Sequence, residues 1–570
     1  MNIKFQLLIF ALLFFYKGYI WSQPPQLEWA KQTGSITKDW GKEIKLDAAG
    51  NIFILGQFSG TVDFDPGPNT YDLTSNGDMD IFIQKLDPDG NFVWAKSLGN
   101  EMTDFPYAMG VGPDGNVVAV GSFQGTVDFD PGPGERLLSS EGSLDIFVLA
   151  LEWNGDYLWA ESIGGPGLDE ATSVSIDCNV HALIAGHFEE TVDFKPGAGT
   201  CYLTSAGGTD IFVAELDCSG NFIRAYSMGG PGNDGATGLA VDAEGNHFTT
   251  GYFQNTADFD PDAGTYELTS NGMTDVFIQK FNINGHFQWA RSIGGLYSDL
   301  GRVIKMDILG NVVIAGNFDR VVDFDPGPGE WPLGKEENDG SLFLLRLSPE
   351  GEFAGAIALV QQNGNITPLS LAIEESGNNY LAGFFSSMVD FDPGPGEEML
   401  TASGSEDMFL MKLDPLGALL WVRQIGGQQN DLCTSLFLDT DQNLFFTGSF
   451  EETADFDPGT GVFDLTSAGG SDLFTAKWAV STVAASDRAL PTPVALFPNP
   501  TTGRFTLDLG STYQEVTIEV MNTSGQVIQR QQLEQVQTLY LYLEQPPGLY
   551  FVKIQDKKGR QMTGMVSLVY

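Results

Sequence analysis

The chain has 570 residues, of which 75 are acidic and 28 are basic, and its formal net charge at pH 7 is -47. A surface so rich in carboxylates repels phosphate backbones and acidic lipid headgroups, which excludes nucleic acid and bare acidic membrane as partners and favours cations or basic molecules. Length alone predicts about four domains, but internal repetition replaces that estimate.

The N-terminus has the pattern of an export signal. Lys4 precedes an apolar run from Leu7 to Tyr16, and Ile20-Trp21-Ser22 comes just before Gln23, which predicts a signal peptide over residues 1–22. The apolar run is too short to cross a bilayer, and no later segment reaches about 18 consecutive apolar residues. The sequence therefore predicts an exported protein with no transmembrane segment.

One heptapeptide recurs along the chain. Val62-Asp63-Phe64-Asp65-Pro66-Gly67-Pro68 has near copies at intervals of 65, 65, 65, 65, 67 and 65 residues. The first aspartates of the seven copies are Asp63, Asp128, Asp193, Asp258, Asp323, Asp390 and Asp455. A fixed period with seven copies indicates seven equivalent units, each burying its apolar face against its neighbours.

Each unit reads as four short strands. In the second copy, β-rich runs occur at 108–111, 117–123, 145–151 and 157–162, separated by turns rich in Gly, Asn and Asp. No stretch has helical periodicity. Seven four-stranded antiparallel units predict an all-β fold, a seven-bladed β-propeller over residues 23–480.

The phase of the repeat predicts how the ring closes. Trp94, Trp159, Trp289 and Trp421 fall on the last strand of their units, and Trp29 matches them although it precedes the first unit. The seventh unit lacks a following Trp-Ala strand. We therefore expect the N-terminal segment 27–33 to complete the seventh blade.

The repeats resemble the SBBP family of seven-bladed β-propeller repeats. The matching elements are the Trp-Ala-Lys strand, Gly164-Gly165, turns such as Asp242 to Asn246, and Asp210-Ile211-Phe212-Val213. The resemblance covers residues 27 to 480 and implies the propeller fold and an extracellular setting. That family has no shared catalytic site to carry over.

A different domain follows a small, proline-flanked linker at 481–493. Leu496 to Gly503, the strand Val516 to Met521, and Pro547 to Ile554 resemble the type IX secretion C-terminal sorting domain. The resemblance implies that residues 494–570 form a small β-sandwich that the type IX secretion machinery recognises. It further implies that the protein ends attached to the cell surface or released.

Aspartates are the candidate site residues. In the first copy Asp63 and Asp65 follow the second strand and Asp80 opens the third. Carboxylates about 4 Å apart repel by about 1 to 4 kcal/mol, depending on the dielectric, so a cluster of three favours a hard cation such as calcium. The predicted ligands are Asp63, Asp65, Asp80, Asp128, Asp130, Asp145, Asp258, Asp260, Asp275, Asp390, Asp392, Asp407, Asp455, Asp457 and Asp472.

Turn chemistry is the alternative explanation of the same motif. Asp caps a turn, Pro sets φ and Gly supplies positive φ, without any metal. Lys195 replaces the second aspartate of the third copy, and Gly340, beside Asp339, stands where other copies open the third strand with Asp. We therefore expect fewer than seven calcium sites. A second aspartate series, which should make one face strongly acidic, comprises Asp39, Asp104, Asp169, Asp234, Asp299 and Asp431.

Enzymatic signatures are weak. The four histidines, His181, His187, His247 and His286, occupy non-equivalent repeat positions, and no known catalytic motif is present. We expect a non-catalytic scaffold for adhesion or for capture of a protein or glycan. The alternative is a polysaccharide-active enzyme using the acidic loop face. Cys178 and Cys218 are either bridged within one blade or free buried thiols.

Overall fold

The computed structural model describes residues 25–176, 181–336, 340–360, 364–479, 495–497, 501–522, 527–546, 548–557 and 561–568. The expected signal peptide at 1–22, the linker at 481–493, Cys178 and Asp339 lie outside these residues. Within the described ranges every regular element is a β-strand. A search of the same ranges finds no helix long and apolar enough to cross a membrane.

The described strands before residue 480 form seven four-stranded antiparallel sheets of one topology, each ordered first to fourth strand across the sheet. The first strands are β2 (Asp39–Leu46), β8 (Phe105–Val111), β14 (Asp169–Ile176), β20 (Gly235–Val241), β26 (Leu300–Met306), β32 (Ile366–Ile373) and β38 (Leu432–Leu438). The second strands are β3 (Ile52–Phe58), β9 (Val117–Phe123), β15 (Ala182–Phe188), β21 (His247–Phe253), β27 (Val312–Phe318), β33 (Asn379–Phe385) and β39 (Leu444–Asp455).

The third and fourth strands complete each sheet. The third strands are β6 (Asp80–Leu86), β12 (Asp145–Leu151), β18 (Asp210–Leu216), β24 (Asp275–Phe281), β30 (Ser341–Leu347), β36 (Asp407–Leu413) and β40 (Asp464–Ala479). The fourth strands are β7 (Phe92–Leu98), β13 (Tyr157–Ile163), β19 (Phe222–Met228), β25 (Phe287–Ile293), β31 (Phe353–Leu359), β37 (Leu419–Ile425) and β1 (Gln26–Thr33). The prediction of repeated, propeller-like four-stranded units is confirmed.

Burial follows strand position. β3 and β6 are buried along their whole length, whereas the fourth strand β7 alternates between buried and partly exposed residues. The apolar runs of the central strands thus pack on both faces. A glycine is required in the second strand, because a Cβ at Gly56 would lie 2.1 Å from the carbonyl oxygen of Trp40.

A small two-stranded ribbon, not foreseen from the sequence, lies between the second and third strands of each sheet. Six are separate hairpins, and in the last sheet β39 and β40 themselves continue into the ribbon. The six are β4 (Thr61–Asp63) with β5 (Asp72–Thr74), β10 (Thr126–Asp128) with β11 (Leu137–Ser139), β16 (Thr191–Asp193) with β17 (Tyr202–Thr204), β22 (Thr256–Asp258) with β23 (Glu267–Thr269), β28 (Val322–Asp323) with β29 (Pro332–Leu333), and β34 (Met388–Asp390) with β35 (Met399–Thr401).

Apolar cores lie between successive sheets. Phe53 of the first sheet packs in one core with Phe147 of the second, and Ile44 of the first shares a core with Phe445 of the last. First strands contact one another in succession, and β38 contacts β2. The edge strand β1 pairs with β40, placing Trp29 opposite Lys477.

The described residues after 494 form one five-stranded antiparallel sheet. Its strands are β41 (Ala495–Phe497), β42 (Arg504–Asn522), β43 (Val527–Tyr542), β44 (Gly548–Asp556) and β45 (Gln561–Leu568). The long strand β42 pairs with β43 along most of its length, with β41 near its start and with β44 near its end. Its apolar side chains gather in a core of their own.

Candidate functional site

The first aspartate of each motif holds the ribbon turn together. Oδ1 of Asp63 accepts the backbone N–H groups of Asp65, at 3.0 Å, and of Tyr71, at 2.8 Å. Oδ1 of Asp65 accepts the N–H of Gly67 at 2.8 Å. The same bonds recur at Asp128 with Asp130, Asp258 with Asp260, Asp390 with Asp392, and Asp455 with Asp457. These carboxylates act as turn caps.

The third predicted ligand of each repeat is buried and holds a different loop. Oδ2 of Asp80 accepts the N–H of Asn76 at 2.9 Å, and Asp80 is 0% exposed. Asp145, Asp275, Asp407 and Asp472 repeat this arrangement. No group of three His, Cys, Asp or Glu side chains suited to a metal ion is found among the described residues.

Calcium binding at these loops stays a prediction. Asp193 caps its turn in the same way, with N–H bonds from Lys195 at 3.1 Å and Cys201 at 2.7 Å, although Lys195 replaces the second aspartate. The turn thus forms without that carboxylate. Calcium binding is tested by measuring the Tm of the protein with a chelator and then with added calcium, since an ion that binds the folded state raises the Tm.

The second aspartate series does not form an exposed acidic face, which corrects the sequence-based expectation. Asp39, Asp104, Asp169, Asp234, Asp299 and Asp431 are all at most 1% exposed. Asp169, for example, accepts the N–H groups of Gly165 at 2.8 Å and Glu189 at 3.2 Å, so it ties two loops together. These side chains turn inward because the backbone of the connections supplies their hydrogen bonds.

Aspartates from adjacent sheets come together in what we call the carboxyl pairs. Burial raises the pKa of Asp104 to about 7 and that of Asp80 to about 6, and Asp80 adds to the rise at Asp104 by repulsion. The pairs are Asp80 with Asp104, Asp145 with Asp169, Asp210 with Asp234, Asp275 with Asp299, Asp407 with Asp431, and Asp472 with Asp39.

At each junction between sheets, the two aspartates of a carboxyl pair are either both present or both absent. Where the fifth sheet meets the sixth, Ser341 and Ile366 occupy the two positions, and Ile366 donates its N–H to Gly340 as Asp104 donates to Met79. The position of Asp80 thus falls to Ser341 and not to Gly340, which corrects the assignment made from the repeat spacing. Within the described residues, Oδ1 of Asp80 has no hydrogen-bond partner, and the same holds for Asp145, Asp210, Asp275 and Asp472. Such a pair is suited to holding a proton rather than two charges.

Each ribbon also presents an exposed, large apolar side chain at or just before the start of its second strand. It stands eight or nine residues after the first aspartate, and we call the seven together the ribbon rim. They are Tyr71 (39% exposed), Leu137 (54%), Tyr202 (65%), Tyr266 (36%), Trp331 (43%), Met399 (46%) and Phe463 (40%). The sequence shows which residues stand there, but exposure depends on how each ribbon folds back over its sheet.

Three aromatic members of the rim, Tyr71, Tyr266 and Trp331, pack against an aromatic residue of the fourth strand. Tyr71 lies 4.8 Å from Phe92 between ring centroids, and Trp331 lies 5.4 Å from Phe353. The Nε1–H of Trp331 donates to the carbonyl of Ala356 at 3.1 Å. One ring face is thus supported by the fourth strand while the residue keeps a large exposed area. Fixed aromatic rings bind ligands with little loss of conformational entropy.

The histidines and cysteines lie apart from one another. His187 contacts Glu170 at 3.1 Å, His181 contacts Glu215 at 2.8 Å and His286 contacts Asp262 at 3.4 Å, while His247 contacts a tyrosine hydroxyl. Cys201, Cys218 and Cys433 are free thiols, and Cys218 is exposed rather than buried. None of these contacts repeats from sheet to sheet.

Comparison with known proteins gives a family match for the C-terminal domain and two longer matches of low sequence identity. Residues 495–567 match the family model described as a secretion system C-terminal sorting domain. The chain is 23% identical over 505 residues to an uncharacterized WD repeat-containing protein of Acanthamoeba polyphaga mimivirus, covering 74% of this chain and 36% of that protein. It is 22% identical over 400 residues to the regulatory protein FlaEY of Caulobacter vibrioides, covering 67% and 39%.

The chain therefore spans well under half the length of these curated relatives. Among solved structures, Sqt1 from Chaetomium thermophilum aligns with 11% identity and a TM-score of 0.36, covering 80% of this chain and 99% of that one. The sorting domain identifies the protein as a type IX secretion cargo, carried to the cell surface and either attached there or released.

Proposed function

We propose that the seven sheets are the blades of a closed β-propeller, which acts outside the cell as a non-catalytic binding scaffold for glycans. The observation that carries this proposal is the ribbon rim, since every ribbon displays a large exposed apolar side chain near the start of its second strand. Four of these side chains occupy the position of Tyr71, and the other three stand one residue later. Several weak contacts on one rigid frame give an avidity far above that of a single contact.

Contacts between the last and the first sheet support the closed ring. Trp40 Nε1 donates to Ser471 Oγ at 2.6 Å, and Thr434 Oγ1 donates to the carbonyl of Gly41 at 2.9 Å. Trp29 covers Gly90 of the next sheet, with its ring 3.1 Å from where a Cβ would stand, as Trp94 covers Gly155. In this proposal β1 is the clasp that completes the seventh blade.

The core of the sorting domain supports a sandwich. Apolar residues from the start and from the end of β42, such as Leu507 and Val520, share one core. A strand that pairs with different partners at its two ends can supply both layers of a small β-sandwich.

Glycan is the favoured ligand class because of the chemistry around the rim. Aromatic faces pack against the apolar faces of sugar rings, and nearby carboxylates and carbonyls accept hydrogen bonds from hydroxyls. The charge of -47 opposes polyanions, so neutral or basic polysaccharides are expected.

The test compares polysaccharide binding by the wild type and by a Tyr71→Ser, Tyr266→Ser, Trp331→Ser variant. We expect the variant to bind at least about tenfold more weakly, or about 1.4 kcal/mol. The matched control is Trp153→Ser with Ile283→Ser, since these side chains are 57% and 41% exposed in turns between third and fourth strands. Equal loss in the control would refute the rim as the binding surface, and release of reducing ends would favour the polysaccharide-active enzyme instead.

A further inference from the structure

Four basic residues stand on the first strands of only two sheets. Lys42 and Lys45 lie on β2, and Arg302 and Lys305 occupy the equivalent positions of β26. All four side chains are partly buried. The chain has only 28 basic residues against 75 acidic ones, so four in equivalent places is a marked local reversal of charge. We call them the first-strand cations.

The two strands border the same space although their sheets are not neighbours, because the seven first strands contact one another in a closed succession. β2 contacts β8 and β38, whereas β26 contacts β20 and β32. Burial lowers the pKa of Lys305 to about 8, repulsion from Lys45 lowers it further, and attraction by Glu43 opposes that fall. Lys305 therefore lies close enough to Lys45 and Glu43 of the other strand for their charges to act on it.

Acidic partners do not balance this charge within the described residues. Glu43 pairs with Lys45, and its other oxygen accepts the N–H of Met109 at 2.7 Å. Arg302 donates to the neutral amide oxygen of Asn317 at 2.5 Å, and the Nζ of Lys42 lies 5.4 Å from the ring centroid of Trp40. Burial lowers the pKa of both Lys42 and Arg302, with no carboxylate acting against it.

Partly buried cations without enough carboxylates are costly unless an anion joins them. We propose that the first-strand cations form a binding site for a small oxyanion, whose carboxylate or phosphate oxygens lie between Lys45 and Lys305. This site is separate from the ribbon rim and does not depend on glycan binding there. Lysine donates strong charge-assisted hydrogen bonds to such oxygens, and Arg302 adds planar donors nearby.

The test measures binding of inorganic phosphate and, separately, of citrate to the exported protein by calorimetry and by the rise in Tm, at constant ionic strength set with chloride. We expect saturable binding. The anion that binds with the higher affinity shows whether the site prefers phosphate or carboxylate oxygens. Lys305→Gln should weaken the affinity at least about tenfold, which corresponds to about 1.4 kcal/mol. Lys45→Gln should have the same effect.

Lys96→Gln on β7 is the matched control, since it removes one partly buried lysine from a fourth strand. It should leave anion binding unchanged. The proposal is overturned if neither anion binds more tightly than chloride, or if Lys305→Gln and Lys45→Gln respond to anions as the wild type does. Because these substitutions remove buried charge, we expect both variants to fold, and their Tm without anion checks this.

Discussion

Replacing one member of a carboxyl pair tests whether the pair binds a proton in the folded protein. In Asp80→Asn, the amide oxygen keeps the bond from Asn76, and the NH2 group takes the place of the oxygen without a partner, beside Asp104. The substitution preserves shape and removes one ionisation. Its effect on stability should therefore depend on pH.

The sign follows from the direction of the shift. The pKa of Asp80 is raised from 3.8 to about 6 in the folded protein, so the folded state holds a proton that the unfolded state releases. Stability from this group is complete below about pH 3.8 and is lost as pH rises through about 6. The full linkage is about 3 kcal/mol, of which about 1 kcal/mol separates pH 5 from pH 8.

The assay is denaturant unfolding of the wild type and of Asp80→Asn at pH 5 and pH 8. We expect the free energy of unfolding of the variant, relative to that of the wild type, to be about 1 kcal/mol higher at pH 8 than at pH 5. Ser341→Asn is the control, because it changes the equivalent position of the one sheet without this aspartate. An Asp80→Asn effect that is the same at both pH values would refute the reasoning.

Two further predictions concern the ends of the chain. Deleting residues 25–34 removes β1 and its pairing with β40, so we expect the Tm to fall by several degrees, since an open edge and exposed core cost several kcal/mol; an unchanged melting curve would contradict the clasp. Deleting residues 495–567 removes the sorting domain, and we expect the protein to accumulate in the periplasm, as measured by cell fractionation. Continued appearance at the surface would show that another signal directs export.

Much of this fold can be predicted from short stretches of sequence. The spacing of the repeated aspartates, the alternation of apolar residues and the Gly-Asn turns predict four strands per unit, because each depends on hydrogen bonds between residues close in the chain. The cap formed by Asp63 is equally local, since it bonds to Asp65 and Tyr71 within the same turn. The C-terminal motifs likewise predict the sorting domain.

Tertiary structure alone decided which side chains meet. Asp80 was grouped by sequence with Asp63, yet its electrostatic partner is Asp104 of the next sheet, and the charge of Lys45 acts on Lys305 of a distant repeat. Exposure of Tyr266 and burial of Asp169 are also invisible in a periodic pattern. These facts depend on how neighbouring sheets pack and on how each ribbon folds back, and such non-local packing leaves no fixed spacing in the sequence.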